Sequence, residues 1–216
     1  MTAPFSGHAE RMDRIYRLQR HIYDATRLPY LLGRRRLIDD LRPPLEGAIL
    51  EIGCGTGWNL VRAAAHYPDC TLCGVDISAV MLETARRSAV RAGVASRISL
   101  VRADAAGLDA ARLGRPAFDR VVFSYALSMI PAWPQALAHA IACTAAGGSL
   151  HIVDFGDFSG LPPLARRGLE AWLDAFHVTP RRDLYPVLDH LAQAHGMRLA
   201  FKQLHAGYVA SAVLSR

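Results

Sequence analysis

Glu51-Ile52-Gly53-Cys54-Gly55-Thr56-Gly57 follows the apolar run Ala48-Ile49-Leu50 and precedes a helical pattern from Trp58 to Tyr67. Glycines at alternate positions let the backbone turn sharply and approach a ligand with no Cβ in the way. The same turn points the unpaired N–H groups of the new helix at that ligand. Nineteen residues after Gly57, Asp76 closes the next apolar run, Thr71 to Val75. A carboxylate at the tip of a second strand is placed to accept both hydroxyls of an adenosine ribose. A dinucleotide dehydrogenase wants Gly-x-Gly-x-x-Gly, which would put a glycine where Trp58 stands. It also sets a pyrophosphate on the helix dipole, whereas an acid beside the loop suits a sulfonium and an ammonium.

From Ala48 onward strands and helices alternate, the pattern of a doubly wound, mostly parallel sheet of seven strands. Strands are predicted at 48–53, 71–76, 98–102, 118–124, 148–154, 197–204 and 207–214, the last two as a hairpin. Helices are predicted near 58–67, 78–92, 105–113, 133–145 and 183–195, with Ser78 capping the second. An inserted helix, 164–176, falls where it would lie over the carboxyl ends of the strands, the ligand side of open α/β sheets. The motif resembles that of the class I S-adenosylmethionine-dependent methyltransferases, acid-x-Gly-x-Gly-x-Gly. That resemblance implies a Rossmann-like methyltransferase fold with S-adenosyl-L-methionine as cofactor and S-adenosyl-L-homocysteine as product.

The 216 residues suit a single domain, with an N-terminal helical arm at 8–41 ahead of a core at 48–216. Val121 to Val153 holds no Asp, Glu, Lys or Arg, but its prolines and glycines divide it into strand, helix and strand. It is therefore expected inside the fold and not across a membrane. No targeting segment is expected, since Met1 to Arg11 lacks an apolar core. The scattered cysteines, Cys54, Cys70, Cys73 and Cys143, fit a reducing compartment and read as small core residues. Cys70-x-x-Cys73 has no second pair, and in a strand its side chains would face opposite ways, so no metal is expected.

All of the net charge sits in the arm. Residues 11–36 hold eight Arg against Asp13 and Asp24, while the rest of the chain is balanced. Such an arm suits an anionic surface, phospholipid or nucleic acid. It reads as two helices broken at Pro29. Ile15, Leu18, Ile22 and Ala25 form an apolar stripe, and Tyr16, Arg20, Tyr23 and Arg27 a second one on a different face.

The class resemblance implies roles for particular residues. Glu51, Gly53, Gly55 and Gly57 would hold the methionine end of the cofactor. Asp76 would bind the ribose, with Ile77 and Met81 flanking the adenine. Asp104, in Ala103-Asp104-Ala105, matches the acid that meets the adenine amino group, though it also suits a helix cap. Met81 reads equally as core. Ser124 and Tyr125 end the fourth strand, where the class places cofactor- and acceptor-facing groups.

The run from Tyr16 to Arg27, Tyr30-Leu31-Leu32-Gly33-Arg34-Arg35-Arg36, Tyr125 to Pro131 and Phe176-His177-Val178-Thr179-Pro180-Arg181 resemble bacterial diacylglyceryl-homoserine N-methyltransferases of betaine-lipid synthesis. This narrower resemblance implies a cytoplasmic enzyme, peripheral at the inner membrane, that methylates a lipid amine. A quaternary ammonium product is stabilised by aromatic faces; Tyr16, Tyr23, Tyr30, Tyr125 and Trp133 are the candidate rings. Tyr16, Tyr23 or His177 would orient the amine or relay its proton, and Arg34 or Arg181 would pair with the homoserine carboxylate. Phosphatidylethanolamine and small-molecule acceptors stay open. RNA methylation is disfavoured, because Ser124-Tyr125-Ala126-Leu127 stands in place of an Asn-Pro-Pro-Tyr-like segment, so no nucleic-acid partner is expected. Polyamine synthesis lacks its strand-end acid pair. A non-catalytic subunit would have no reason to keep the glycines and Asp76.

Overall fold

A computed structural model describes residues 31–176 and 178–216. Seven strands form one sheet: β1 (Ala48–Ile52), β2 (Thr71–Asp76), β3 (Ile98–Arg102), β4 (Phe118–Ser124), β5 (Thr144–Phe155), β6 (Arg198–Leu204) and β7 (Val209–Ser215). Their order is β3-β2-β1-β4-β5-β7-β6. Every pairing from β3 to β5 is parallel, whereas β7 runs antiparallel to both β5 and β6, as the predicted terminal hairpin requires. The sheet is the predicted doubly wound one.

β1 lies at the centre and is buried along its whole length, which is why it reads as an unbroken apolar run interrupted only by Glu51. Alternate residues serve opposite faces. Ala48, Leu50 and Ile52 pack with α4 (Trp133–Ala142) and α6 (Leu184–Ala194). Ile49 packs with α1 (Arg34–Asp39), α2 (Trp58–His66) and α3 (Ala79–Arg91), and α5 (Pro163–Ala175) adds Leu173 to that side. Cys70 and Cys73 fall on opposite faces, and all four cysteines are buried free thiols. The uncharged stretch 121–153 is interior: β4, α4 and β5 bury most of it. Among the described residues no helix is long and apolar enough to cross a membrane.

Ser78 caps α3 as expected, its Oγ accepting the Met81 N–H. The predicted helix at 105–113 does not form. Two 3-10 turns replace it, Ala105–Gly107 and Ala110–Leu113, each opened by an aspartate, Asp104 and Asp109, that accepts the N–H two residues on. Gly107 and Asp109 both disfavour helix, and Leu108 between them is extended, which buries its side chain in the core. β5 begins four residues earlier than expected, since Thr144 pairs with Phe118 before the register shifts beside Arg120. Of the two predicted arm helices, the first lies outside the described residues. The second is α1, opened by Gly33 at φ 82° and tied down where the Tyr67 hydroxyl donates to the Ile38 carbonyl at 2.7 Å.

Candidate active site

The chain reverses direction across the sheet between β1 and β4, and a ligand cleft is expected where their carboxyl ends diverge. A cavity of about 310 Å³ opens there, within the ~300–1,000 Å³ of small-molecule sites. Its walls are the loop after β1 (Gly53 to Thr56), Asp76 and Ile77 after β2, Ala103 to Ala105 after β3, and Ser124 to Ala126 after β4. Leu31 and Arg34 line it from the N-terminal side.

Close packing explains the glycines. Gly53 has φ 75°, and a Cβ there would meet the Ala126 Cβ at 2.6 Å. A Cβ on Gly57 would strike Ala85 of α3 at 2.9 Å, so Gly57 serves helix packing and does not line the cavity. Gly55 differs: nothing lies within 4 Å of its would-be Cβ, so the space it leaves belongs to the cavity. Asp76 braces this loop. Its Oδ2 accepts the Gly55 N–H at 2.8 Å and its Oδ1 accepts the Ser78 N–H at 2.9 Å.

Glu51 is 3% exposed, and its Oε2 has no hydrogen-bond partner. Its Oε1 accepts from the Asn59 amide of α2, whose own Oδ1 accepts the Arg34 Nε–H at 3.1 Å. Arg34 also lies over the Trp58 ring, 4.2 Å from its centroid, with Arg62 at 4.9 Å. Burial pushes the Glu51 carboxyl up to about 7, against the Asn59 hydrogen bond and the Arg34 charge, while Asp76 adds to the rise. A buried carboxylate oxygen left unsatisfied is costly unless a cationic ligand meets it.

Asp104 both caps its 3-10 turn, accepting the Ala106 N–H at 2.9 Å, and lines the cavity with Ala105. Ser124 lines it too, with its Oγ unpartnered. Met81 is fully buried against Ile77 and Met129 and does not line the cavity. Trp133 is 6% exposed within the core, leaving no open ring face for a substrate cation. Arg181 is committed to the backbone: its Nε and one terminal nitrogen donate to the Leu127 and Ile130 carbonyls at 3.0 and 2.8 Å. It therefore shapes the loop after β4 and does not line the cavity. Tyr16, Tyr23, Tyr30 and His177 lie outside the described residues.

Tyr125 carries a positive φ of 54°, a sparsely populated conformation for a bulky residue. The strain is held by three contacts. Its N–H donates to the Val153 carbonyl at 2.8 Å, its hydroxyl donates to the Leu32 carbonyl at 2.7 Å, and its ring packs edge-on against Phe155. Burial pushes the phenol far above its usual range, so it stays protonated. Sequence reasoning passed over Thr56, Asn59, Ser128 and Asp154. The available signal for Asn59 was an amide within the apolar stripe of α2, beside Leu60, Ala63 and Ala64.

The donor set suits S-adenosylmethionine: acids at three strand ends, an unpartnered carboxylate oxygen, and a loop space that a Cβ would fill. Comparison with known proteins agrees. A family model described as a methyltransferase domain matches residues 49–148. Aklanonic acid methyltransferase DauC of Streptomyces sp. is 33% identical over 136 residues, covering 60% of this chain and 59% of that protein. A malonyl-[acyl-carrier protein] O-methyltransferase of Halalkalibacterium halodurans is 38% identical over 84 residues, 39% of this chain and 29% of the relative. The chain thus spans less than two thirds of either relative. A solved complex of DhpI with SAM and HEP superposes over 100% of both chains with a TM-score of 0.68 at 20% identity. The chain has the seven-stranded fold of solved methyltransferases, and residues 49–148 match a methyltransferase domain, with S-adenosylmethionine as the cofactor that its donor set suits.

Proposed function

We propose that the whole chain is an N-methyltransferase that converts the primary amine of diacylglyceryl-homoserine into the trimethylated betaine lipid. The observation that carries this reading is the wall beyond the cofactor cavity. A smaller apolar pocket adjoins it, shares Leu31, Tyr125 and Met129 with it, and is walled by Phe155, Trp172 and Phe176. Aromatic faces tolerate an accumulating ammonium charge that carboxylates would over-bind, at about 0.5–2 kcal/mol per well-placed ring. The resemblance of the arm and of the 125–131 and 176–181 segments to betaine-lipid methyltransferases supports this choice of acceptor.

Bound S-adenosylmethionine supplies an electrophilic methyl group on a sulfonium. The residues of this chain bind and orient. Glu51 would hold the methionine ammonium, Asp76 the ribose hydroxyls and Asp104 the adenine edge, while Gly55 would leave room for the backbone approach. Methyl transfer is an in-line displacement, so positioning the acceptor nitrogen about 3 Å from the methyl carbon supplies much of the rate. The buried β4 end and aromatic walls keep water away from that line.

A second reading, methylation of a carboxylate, is favoured by the names of the relatives, a malonyl-[acyl-carrier protein] O-methyltransferase and an aklanonic acid methyltransferase. The deciding experiment follows label from S-adenosylmethionine into vesicles carrying diacylglyceryl-homoserine, phosphatidylethanolamine or a free fatty acid. Mono-, di- and trimethyl products in the first lipid support N-methylation. Label in the fatty acid as a base-labile ester replaces it with the second reading.

A further inference from the structure

One aliphatic hydroxyl interrupts the apolar and aromatic lining of the pocket beyond the cofactor cavity. Ser128 lines it, is 2% exposed, and its Oγ has no hydrogen-bond partner. Leaving a buried hydroxyl unsatisfied costs about 1–3 kcal/mol, and such groups mark places where a ligand completes the pairing. Behind Ser128 stands Asp154, 1% exposed near the end of β5. Its Oδ1 accepts the Phe155 N–H at 2.8 Å and its Oδ2 the Ser128 N–H at 3.3 Å, with the Ser128 side chain beside it. The 3-10 turn Leu127–Met129 thus hangs a hydroxyl between a buried carboxylate and the acceptor pocket.

We propose that Ser128 is the hydroxyl that receives the acceptor's N–H, and that Asp154 behind it takes up the proton. The inference rests on the amine acceptor of the preceding section. The acceptor ammonium, held in the main cavity, meets Ser128 where the pocket opens off it; one N–H bond breaks, its proton passes to Ser128 Oγ, and the Ser128 hydroxyl proton moves to the Asp154 carboxylate. The lone pair left on nitrogen forms the new N–CH3 bond as the methyl–sulfur bond breaks with its electrons on sulfur. The nitrogen is then cationic again. Asp154 returns its proton to water as product leaves, which resets the pair for the next methyl.

The other candidate bases are poorly suited. Tyr125 has its proton committed to the Leu32 carbonyl, and Asp76 lines the cofactor cavity and not the apolar pocket that Ser128 lines. The groups that face Asp154 electrostatically among the described residues are Arg181, from the segment after α5, and Tyr125, from the end of β4. The Arg181 charge favours the carboxylate; Tyr125 stays neutral. Burial raises the Asp154 carboxyl to about 6 against the backbone N–H groups of Phe155, Ser128 and Leu127 that point at it, so it is ionised and able to accept at neutral pH.

The test measures methyl transfer into diacylglyceryl-homoserine vesicles between pH 5.5 and 9 for the parent, Ser128→Ala, Ser128→Thr and Asp154→Asn. Calorimetry of S-adenosylmethionine binding runs beside it. Turnover of Ser128→Ala and Asp154→Asn is expected to fall about 100-fold, the scale of a positioned base, with cofactor affinity unchanged. Ser128→Thr keeps the hydroxyl and most of the rate. The parent loses activity as pH falls through about 6, and Asp154→Asn loses that limb. A merely structural role would lower the rate and leave the profile's shape. Ser128→Ala within about threefold of an active parent overturns the inference and leaves the N-methylation reading standing. A parent that labels no amine overturns both. Should Asp154→Asn fail to fold, the two Ser128 variants decide.

Discussion

Arg34 and Glu51 are coupled through a single amide: Asn59 accepts from the Arg34 Nε–H with its oxygen and donates to Glu51 with its nitrogen. The arm-side helix α1 is thereby wired to a buried carboxylate that lines the cavity. The Arg34 charge opposes the rise that burial imposes on Glu51. Arg34→Met is expected to weaken S-adenosylmethionine binding about tenfold, the loss of one charge-assisted hydrogen bond. It should also move the pH at which binding improves from about 7 to a higher value. Calorimetry at several pH values checks both; an unchanged midpoint would mean that Arg34 acts only through its stacking on Trp58.

Glu51 sets function against stability. Its carboxyl titrates higher folded than unfolded, at about 7 against 4.5. Its contribution is therefore fully favourable below about 4.5 and is lost as pH rises through about 7. At pH 8 the apo protein carries a buried charge lacking one partner. Glu51→Gln should raise apo stability at pH 8, on the order of 1–3 kcal/mol in urea unfolding, while weakening the cofactor. The gain should shrink to nothing near pH 5. A destabilised variant at pH 8 would show that the charged form is fully compensated in the fold.

Two glycines two residues apart in the same loop, Gly53 and Gly55, fail differently. Gly53→Ala places a Cβ 2.6 Å from Ala126 at a φ of 75°, so the fold itself must give way. A midpoint loss of several degrees is expected, since strain and clash together cost about 2 kcal/mol or more. Gly55→Ala meets no protein atom within 4 Å and suffers only its φ of 54°, about 1 kcal/mol. It should fold and lose S-adenosylmethionine binding, because the methyl projects into the cavity. Thermal melts with and without cofactor distinguish the two variants.

Strand order, the hairpin and the cavity's acids were readable because each follows from local chemistry: glycines that need positive φ, carboxylates at strand ends, runs with the period of a strand. The stretch 105–113 misled because its alanines and leucines favour helix, while Gly107 and the two capping aspartates hold it to single turns. Asn59 and Asp154 were missed for a different reason. Each is a buried polar residue whose partner is set by tertiary packing: Asn59 bridges Arg34 to Glu51, and Asp154 caps a turn 26 residues away. Arg181 read as a ligand for a carboxylate because sequence shows a charge and not the carbonyls that occupy it.

Arg35 and Arg36 offer the cleanest test of a membrane role, because both are exposed on α1 and neither lines the cavity. The ion pair of Arg36 with Asp40 is 3.3 Å long, but its side chains are 70% and 52% exposed, so it adds little to stability. Each basic residue near an anionic leaflet contributes about 1 kcal/mol. Arg35→Glu with Arg36→Glu should therefore lower sedimentation with phosphatidylglycerol vesicles at least about tenfold, most strongly at low salt. Cofactor affinity should not change, since Arg34 is left in place. Equal sedimentation of parent and variant would make α1 an ordinary solvated cap, and lipid would have to reach the cavity by another face.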